Sequence, residues 1–140
     1  MNTRQMGLFF FRLSLGLTML LAHGLPKLER YGKISTVFPD PFGVGSAVSL
    51  TLVIFAELFC SLFLILGIWT RVALIPLIIT MATAFFIVHM DDPFNKKELA
   101  LLYLMSYITL FLTGGGAYSL LKPKGLPKTP FFQFIAEEKP

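Results

Sequence analysis

Four long apolar stretches constrain this chain more than any other feature. They run roughly from Gly7 to Leu25, Ala47 to Trp69, Val72 to Val88 and Leu99 to Leu121. The last two carry no charged residue, whereas the first is broken by Arg12 and His23 and the second by Glu57. Crossing hydrocarbon takes about 20 apolar residues, with roughly 17 to 25 tolerated. In lipid every backbone N–H and C=O must find a partner inside the protein, so each stretch is expected to be a helix. A water-soluble alternative fails on surface-to-volume grounds. With 140 residues, 55% of them hydrophobic, and a mean hydropathy of +0.73, the chain has too little interior to hide its apolar surface. The predicted fold is all-α: a transmembrane four-helix bundle, antiparallel and up-down. Its helices are expected over about 7–27, 47–69, 71–90 and 98–116, within a domain of residues 1–121.

The connections support that division. Pro26 marks the end of the first helix, because proline disfavours helix at the residue before it. Residues 29–46 form the longest internal loop, with Pro39-Asp40-Pro41 inside it. Gly67-Ile68-Trp69-Thr70-Arg71 reads as a tight turn with tryptophan at interface depth. Pro93, in Asp91-Asp92-Pro93-Phe94-Asn95, blocks continuation of the third helix. Gly114-Gly115-Gly116 ends the fourth. It lacks the following lysine of a phosphate-binding loop. The tail 122–140 is basic and aromatic and is expected to lie in solvent or at the interface. Arg12 interrupts the first apolar run and no A-x-A-like site follows, so the run is expected to be a retained helix rather than a cleaved signal.

Charge placement sets the expected orientation and excludes some functions. The net charge is +4, but the basic residues cluster at the ends of apolar runs, which is a membrane pattern and not a nucleic-acid footprint. Four spans put both termini on one side. That side holds Arg4, Arg12, Arg71, Lys122, Lys124, Lys128 and Lys139, against Lys27, Arg30, Lys33, Lys96 and Lys97 on the other. The excess predicts cytoplasmic termini. The single Cys60 rules out an intramolecular disulfide and a CxxC pair, and it reads as a packing residue. His23 and His89 lack a spaced third ligand, so no metal is expected.

The remaining polar residues carry the functional signal. Ionisable groups in a span are costly and normally face inward toward a partner. On a regular helix Arg12, Gly16, His23 and Lys27 fall on one stripe, and Gly16 invites close approach of a neighbour. Glu57 sits near mid-bilayer, with Arg71 on nearly the same face at the membrane edge. Glu98, Met105, Thr109 and Gly116 share a face of the fourth helix. Rise per residue places Arg12 about 10 Å from Glu57 in depth, so Glu57 is expected to centre a buried network with Arg12 or His23. His23, Lys27, His89, Asp91, Asn95 and Glu98 are expected to gather near the outer surface. Three readings remain open. The network pins the bundle, or it lines an outward pocket for a small molecule of quinone type through His23, Lys27 and Glu98, or it carries protons or ions. Transport and a pure scaffold are the corresponding alternatives to a redox role. Glu57→Ala is expected to cost more stability than Lys27→Ala.

Several of these residues resemble one known family. Arg12-Leu13 with Gly16, His23-Gly24 and Lys27-Leu28 resemble the opening of the DoxX family. Glu57 within Ala56-Glu57-Leu58 is similar to its acidic residue in helix two, and Gly67-Ile68-Trp69-Thr70-Arg71 to its Gly-x-x-Thr-Arg turn. Asn95 with Glu98 resembles its Asn-x-x-Glu pattern, and Thr113-Gly114-Gly115-Gly116 with Tyr118-Ser119-Leu120 its closing motif. The match covers about residues 8–121. Leu121 stands where the family often has aspartate, so any role of that aspartate is absent. The resemblance implies a multi-pass protein of a bacterial inner membrane, set in the lipid bilayer and linked to redox or sulfur metabolism. Related DoxD proteins serve as membrane subunits of thiosulfate:quinone oxidoreductase. It therefore implies a quinone, a soluble or membrane redox partner subunit, or both, with homo-oligomerisation left open and no covalently bound cofactor.

Overall fold

The apolar stretches become helices that stop at Gly67, before Pro93 and at Gly114, but Pro26, expected to end the first helix, lies inside it, in the first turn after a π-helical segment, where its missing N–H is tolerated. The computed structural model describes residues 2–121 and 129–136. Helix α1 runs Thr3–Glu29, capped at its start by the Asn2 side chain accepting from the Arg4 amide. A short α2 spans Tyr31–Ile34. Helix α3 is Ser46–Leu66 and α4 is Thr70–Val88. Helix α5 is Phe94–Thr113, and a short α6 covers Pro130–Ala136.

Among the described residues, three helices are long and apolar enough to cross a membrane: α1, α3 and α4. Helix α5 has 20 residues but opens with Lys96-Lys97-Glu98. It packs along α4, and α1 packs along the second half of α3. The main core gathers Met19, Leu64, Leu74, Leu77, Leu104, Tyr107 and Leu110 from these four helices. Cys60 is buried in it. A smaller cluster, Leu50, Ile54 and Leu58, sits under Tyr31, Ile34 and Phe38 at the other end.

Small residues set how closely α1 approaches α3. A Cβ on Gly16 would lie 2.5 Å from Ile65 Cγ1, and one on Gly24 would lie 2.7 Å from the Glu57 carbonyl oxygen. Between α3 and α4 the chain turns within three residues, with Gly67 at φ 68° and Trp69 at φ 45°. Trp69 stays half-exposed, and its amide donates to the Leu121 carbonyl at 2.9 Å. Residues 119–121 thus lie beside the turn, making a single bridge between Ile68 and Leu121.

The two ends of the molecule differ in construction. The arginine end holds the chain start, the 67–69 turn and residues 114–121. The loop end holds residues 27–45 and the 89–93 turn. Part of the 122–140 tail, expected in solvent or at the interface, forms a short helix against the bundle. Helix α6 docks on the arginine end, with Ile135 buried and Phe134 5.5 Å from Phe111 in ring centroids. Lys122, Lys124, Lys128 and Lys139, which entered the orientation count, lie outside the described residues.

Candidate functional site

Three helices widen into π-helical turns, and all three turns lie toward the loop end. They are Leu20–Gly24 in α1, Phe55–Cys60 in α3 and Ala84–Val88 in α4. A π turn bonds i to i+5 and so inserts one residue, and such turns are frequent at functional sites. The inserted residue rotates the remainder of the helix by roughly 100° relative to a regular one. The first two turns pack against each other, with Gly24 pressed on the Glu57 backbone. Lys27, just beyond the first turn, is thereby brought to Glu57 inside the second.

Lys27 Nζ donates to Glu57 Oε2 at 2.5 Å. The carboxylate side chain is 4% exposed and the lysine 24%. Among the described residues no other group donates to Glu57, so its second oxygen is uncommitted. The pair forms part of the wall of a cavity of about 480 Å³. Leu52 and Val53 of α3 and Ile79, Thr83, Ala84 and Val88 of α4 supply most of the wall. Phe38, Pro39, Pro41, Phe42 and Val44 of the 35–45 loop line its outer side. The cavity is therefore an apolar chamber with one neutral ion pair set in it.

The loop holds its place through one side chain. Asp40 accepts from the Val44 amide at 3.0 Å, the Gly45 amide at 2.7 Å and the Ser49 hydroxyl at 2.7 Å. These bonds tie the loop to the first turn of α3, and they hold the Asp40 carboxyl below its ordinary pKa, the Ser49 hydroxyl contributing most. His89 also lines the cavity, and its Nδ1 lies 2.6 Å from Asp92 Oδ2. That contact, with Lys96 at 3.8 Å, lowers the Asp92 pKa.

The expected network around Glu57 is therefore rearranged. Arg12 does not meet Glu57. Glu57 lies level with Gly24, twelve residues along α1 from Arg12, so the separation is about 18 Å rather than 10 Å. Arg12 is 1% exposed and points to the arginine end. It donates to the Gly115 carbonyl at 3.0 Å, the Ser119 hydroxyl at 2.8 Å and the Tyr118 carbonyl at 3.1 Å. Nor does His23 bond Glu57; its ring lies edge-on to Tyr103 at 5.7 Å. Arg71 is buried rather than at an exposed edge. It donates to the carbonyls of Phe111 at 2.8 Å, Leu112 at 3.3 Å and Phe134, with its guanidinium 4.2 Å over the Phe134 ring.

Of the three residues expected to line an outward pocket, the cavity includes Lys27 but not His23 or Glu98. Asn95 and Glu98 are exposed at the start of α5. Asp91 is exposed in the adjoining turn. The residues that sequence reasoning missed are the loop aromatics and the wall of α4. Phe38 and Phe42 flanking Pro39-Asp40-Pro41 were a usable signal, since two phenylalanines are poorly suited to a water-exposed loop. Nothing in the residue pattern foretold the π turns.

Comparison with known proteins bears on the same segment. The family model described as DoxX matches residues 7–90, which contain Lys27, Glu57 and all the residues that line the cavity. No curated protein and no solved structure matches the chain.

Proposed function

The chain belongs to the DoxX family, and on that premise we propose that it is a small integral membrane subunit of a redox system that binds a lipophilic, quinone-type molecule in its loop-end cavity. One observation carries the reading: a buried Lys27–Glu57 pair set in the wall of an otherwise apolar chamber of about 480 Å³. Small-molecule sites are concave and mostly apolar, with a few polar groups that fix orientation. Intramembrane ionisable residues are functional candidates by default.

A quinone-type ligand fits the groups present. The apolar walls accept a ring and part of a hydrocarbon tail. Lys27 retains two N–H donors beyond the one given to Glu57, and Glu57 retains one acceptor oxygen. The pair carries no net charge, so a charged head would add an uncompensated charge to a dry site. A neutral polar head avoids that cost. When bound, such a molecule supplies two-electron redox chemistry that no side chain here offers. Lys27 and Glu57 orient its head, while Phe38 and Phe42 offer it apolar wall.

In this reading α5 is a fourth span. Its 20 residues measure about 30 Å, the thickness of the hydrocarbon, and Lys96-Lys97-Glu98 sit at the boundary. Both termini then face the cytoplasm of a bacterial inner membrane, and the cavity opens near the outer surface. A partner subunit or a second copy would complete the electron path.

Native mass spectrometry of the gently solubilised protein tests the proposal. Wild type is expected to retain a lipophilic molecule, with any partner subunit visible in the same spectrum. Val53→Trp, which fills the cavity, is expected to lose that molecule while keeping the fold. Absence of any bound lipophile from wild type, together with no uptake of added decylubiquinone, would overturn it.

A further inference from the structure

The uncommitted oxygen of Glu57 has a consequence for which form of ligand the cavity holds. Lys27 Nζ occupies Oε2, and among the described residues nothing donates to the remaining oxygen. The side chain is only 4% exposed, and it lines the cavity. Three of the other polar wall groups are engaged elsewhere, and Thr83 adds a hydroxyl to the wall. Ser49 donates its hydroxyl to Asp40, and Thr80 donates to the Pro76 carbonyl at 2.9 Å. His89 is held by Asp92 at 2.6 Å. Glu57 thus presents an acceptor oxygen to the cavity, which a donor on an entering molecule can meet.

Resting on the proposed ligand class, we propose that Glu57 makes this cavity selective for neutral ligands whose head donates a hydrogen bond, and hence for the reduced, dihydroxy form of a quinone over the oxidised form. A hydroxyl head does two things at once: it donates to the free Glu57 oxygen and accepts from a spare Lys27 N–H. A quinone carbonyl only accepts. It satisfies Lys27 but, by filling the space beside Glu57, leaves the free carboxylate oxygen facing an acceptor instead of a donor. A site built to bond a hydroxyl discriminates strongly against an analogue lacking it, because its own polar group is left unpaired.

The selectivity concerns binding alone and requires no electron transfer by this chain. It makes the protein a holder of reduced carrier, so a partner that oxidises the dihydroxy form would be the consumer of what the cavity presents.

The test is a titration of the full-length protein in nanodiscs, read by native mass spectrometry and by competition with a radiolabelled analogue. The probes are decylubiquinol under anaerobic conditions, decylubiquinone, and the dimethyl ether of decylubiquinol, which keeps the shape but cannot donate. Wild type is expected to bind the dihydroxy form about tenfold more tightly than the quinone and than the ether. In Glu57→Gln the amide offers a donor of its own, so the preference for the dihydroxy form over the quinone is expected to vanish or invert. Equal affinity for all three probes on wild type overturns this proposal while leaving the ligand class intact. Binding of none of them overturns the ligand class itself. The ether comparison uses wild type only, so the proposal stays open to refutation even where Glu57→Gln does not fold.

Discussion

The two ends of the molecule bury charge in opposite ways. At the arginine end, Arg12 and Arg71 each spread a guanidinium over several acceptors supplied by distant segments. Their partners are mostly backbone carbonyls freed where α5 ends and the chain reverses. Helix termini leave such carbonyls without intrahelical partners, and a five-donor fork suits them. Both guanidinium groups are engaged by the protein itself. At the loop end, Lys27 meets Glu57 through one contact, on the wall of a chamber, with donors and an acceptor to spare. Buried charge spread over several acceptors of the protein itself holds a fold together. Buried charge with bonding capacity to spare on the wall of a chamber is what the proposed ligand site rests on.

The largest effect is expected from breaking the arginine end. Arg12→Ala should lower stability by about 3 kcal/mol, since it strips three charge-assisted bonds and leaves buried carbonyls unpaired. Thermal unfolding in detergent reads the loss. Ligand affinity of the surviving folded fraction should hold, and a parallel loss of affinity would erase the division between the ends.

Next comes the closeness of α1 to α3, tested by two alanines. In Gly24→Ala the new Cβ meets backbone atoms of Glu57 at 2.7 and 2.8 Å, which cannot swing away. In Gly16→Ala the nearest atom is Ile65 Cγ1, a side-chain group that can rotate. Overpacking typically costs about 1–3 kcal/mol, and Gly24→Ala should fall near the top of that range with Gly16→Ala near the bottom. Only the Gly24 variant should also weaken ligand binding. Denaturation midpoints and a binding titration together decide it.

Removing either partner of the ion pair should cost less than losing Arg12, and the order of the two reverses the sequence-based expectation. Lys27→Ala strands a carboxylate that is 4% exposed, whereas Glu57→Ala frees a lysine already 24% exposed and able to reach water. Expected losses are about 2 kcal/mol and about 1 kcal/mol respectively. Equal melting temperatures for the two variants would argue that Glu57 is better hydrated than its burial indicates.

The smallest effect concerns acid. Asp40 has its pKa lowered by the Ser49 hydroxyl and neighbouring amides, so its tie to the loop is fully present above the usual carboxyl value of 3.8 and is lost as pH falls through the lower folded value. Guanidinium groups do not titrate in that range. Hydrogen exchange at low pH should therefore increase first at the 43–45 amides of the loop end and leave residues 114–121 protected. Simultaneous opening of both ends would place the acid-sensitive group elsewhere.

Much of this architecture was legible from residues alone, for a simple reason. Apolar runs of membrane length, stops at Pro93 and Gly114, and the reversal at Gly67 are local features, and each acts within its own stretch of chain. Membership of the DoxX family was legible for the same reason, because its motifs are short and ordered along the chain. The pairing of charges was not local. A regular helical projection put Arg12 and His23 beside Glu57. Two facing π turns and the depth of Gly24 against Glu57 brought Lys27 there instead.

The sequence by itself determined that this protein is helical and membrane-spanning in character, from four apolar stretches of spanning length, three of which the structure forms as helices long and apolar enough to cross a membrane. Length and hydropathy decide those points without reference to any neighbour. Only the tertiary structure decided who pairs with whom. Partner choice depends on depth, on helix rotation at inserted residues, and on where the 35–45 loop and α6 fold back. Those quantities exist only once the helices have packed.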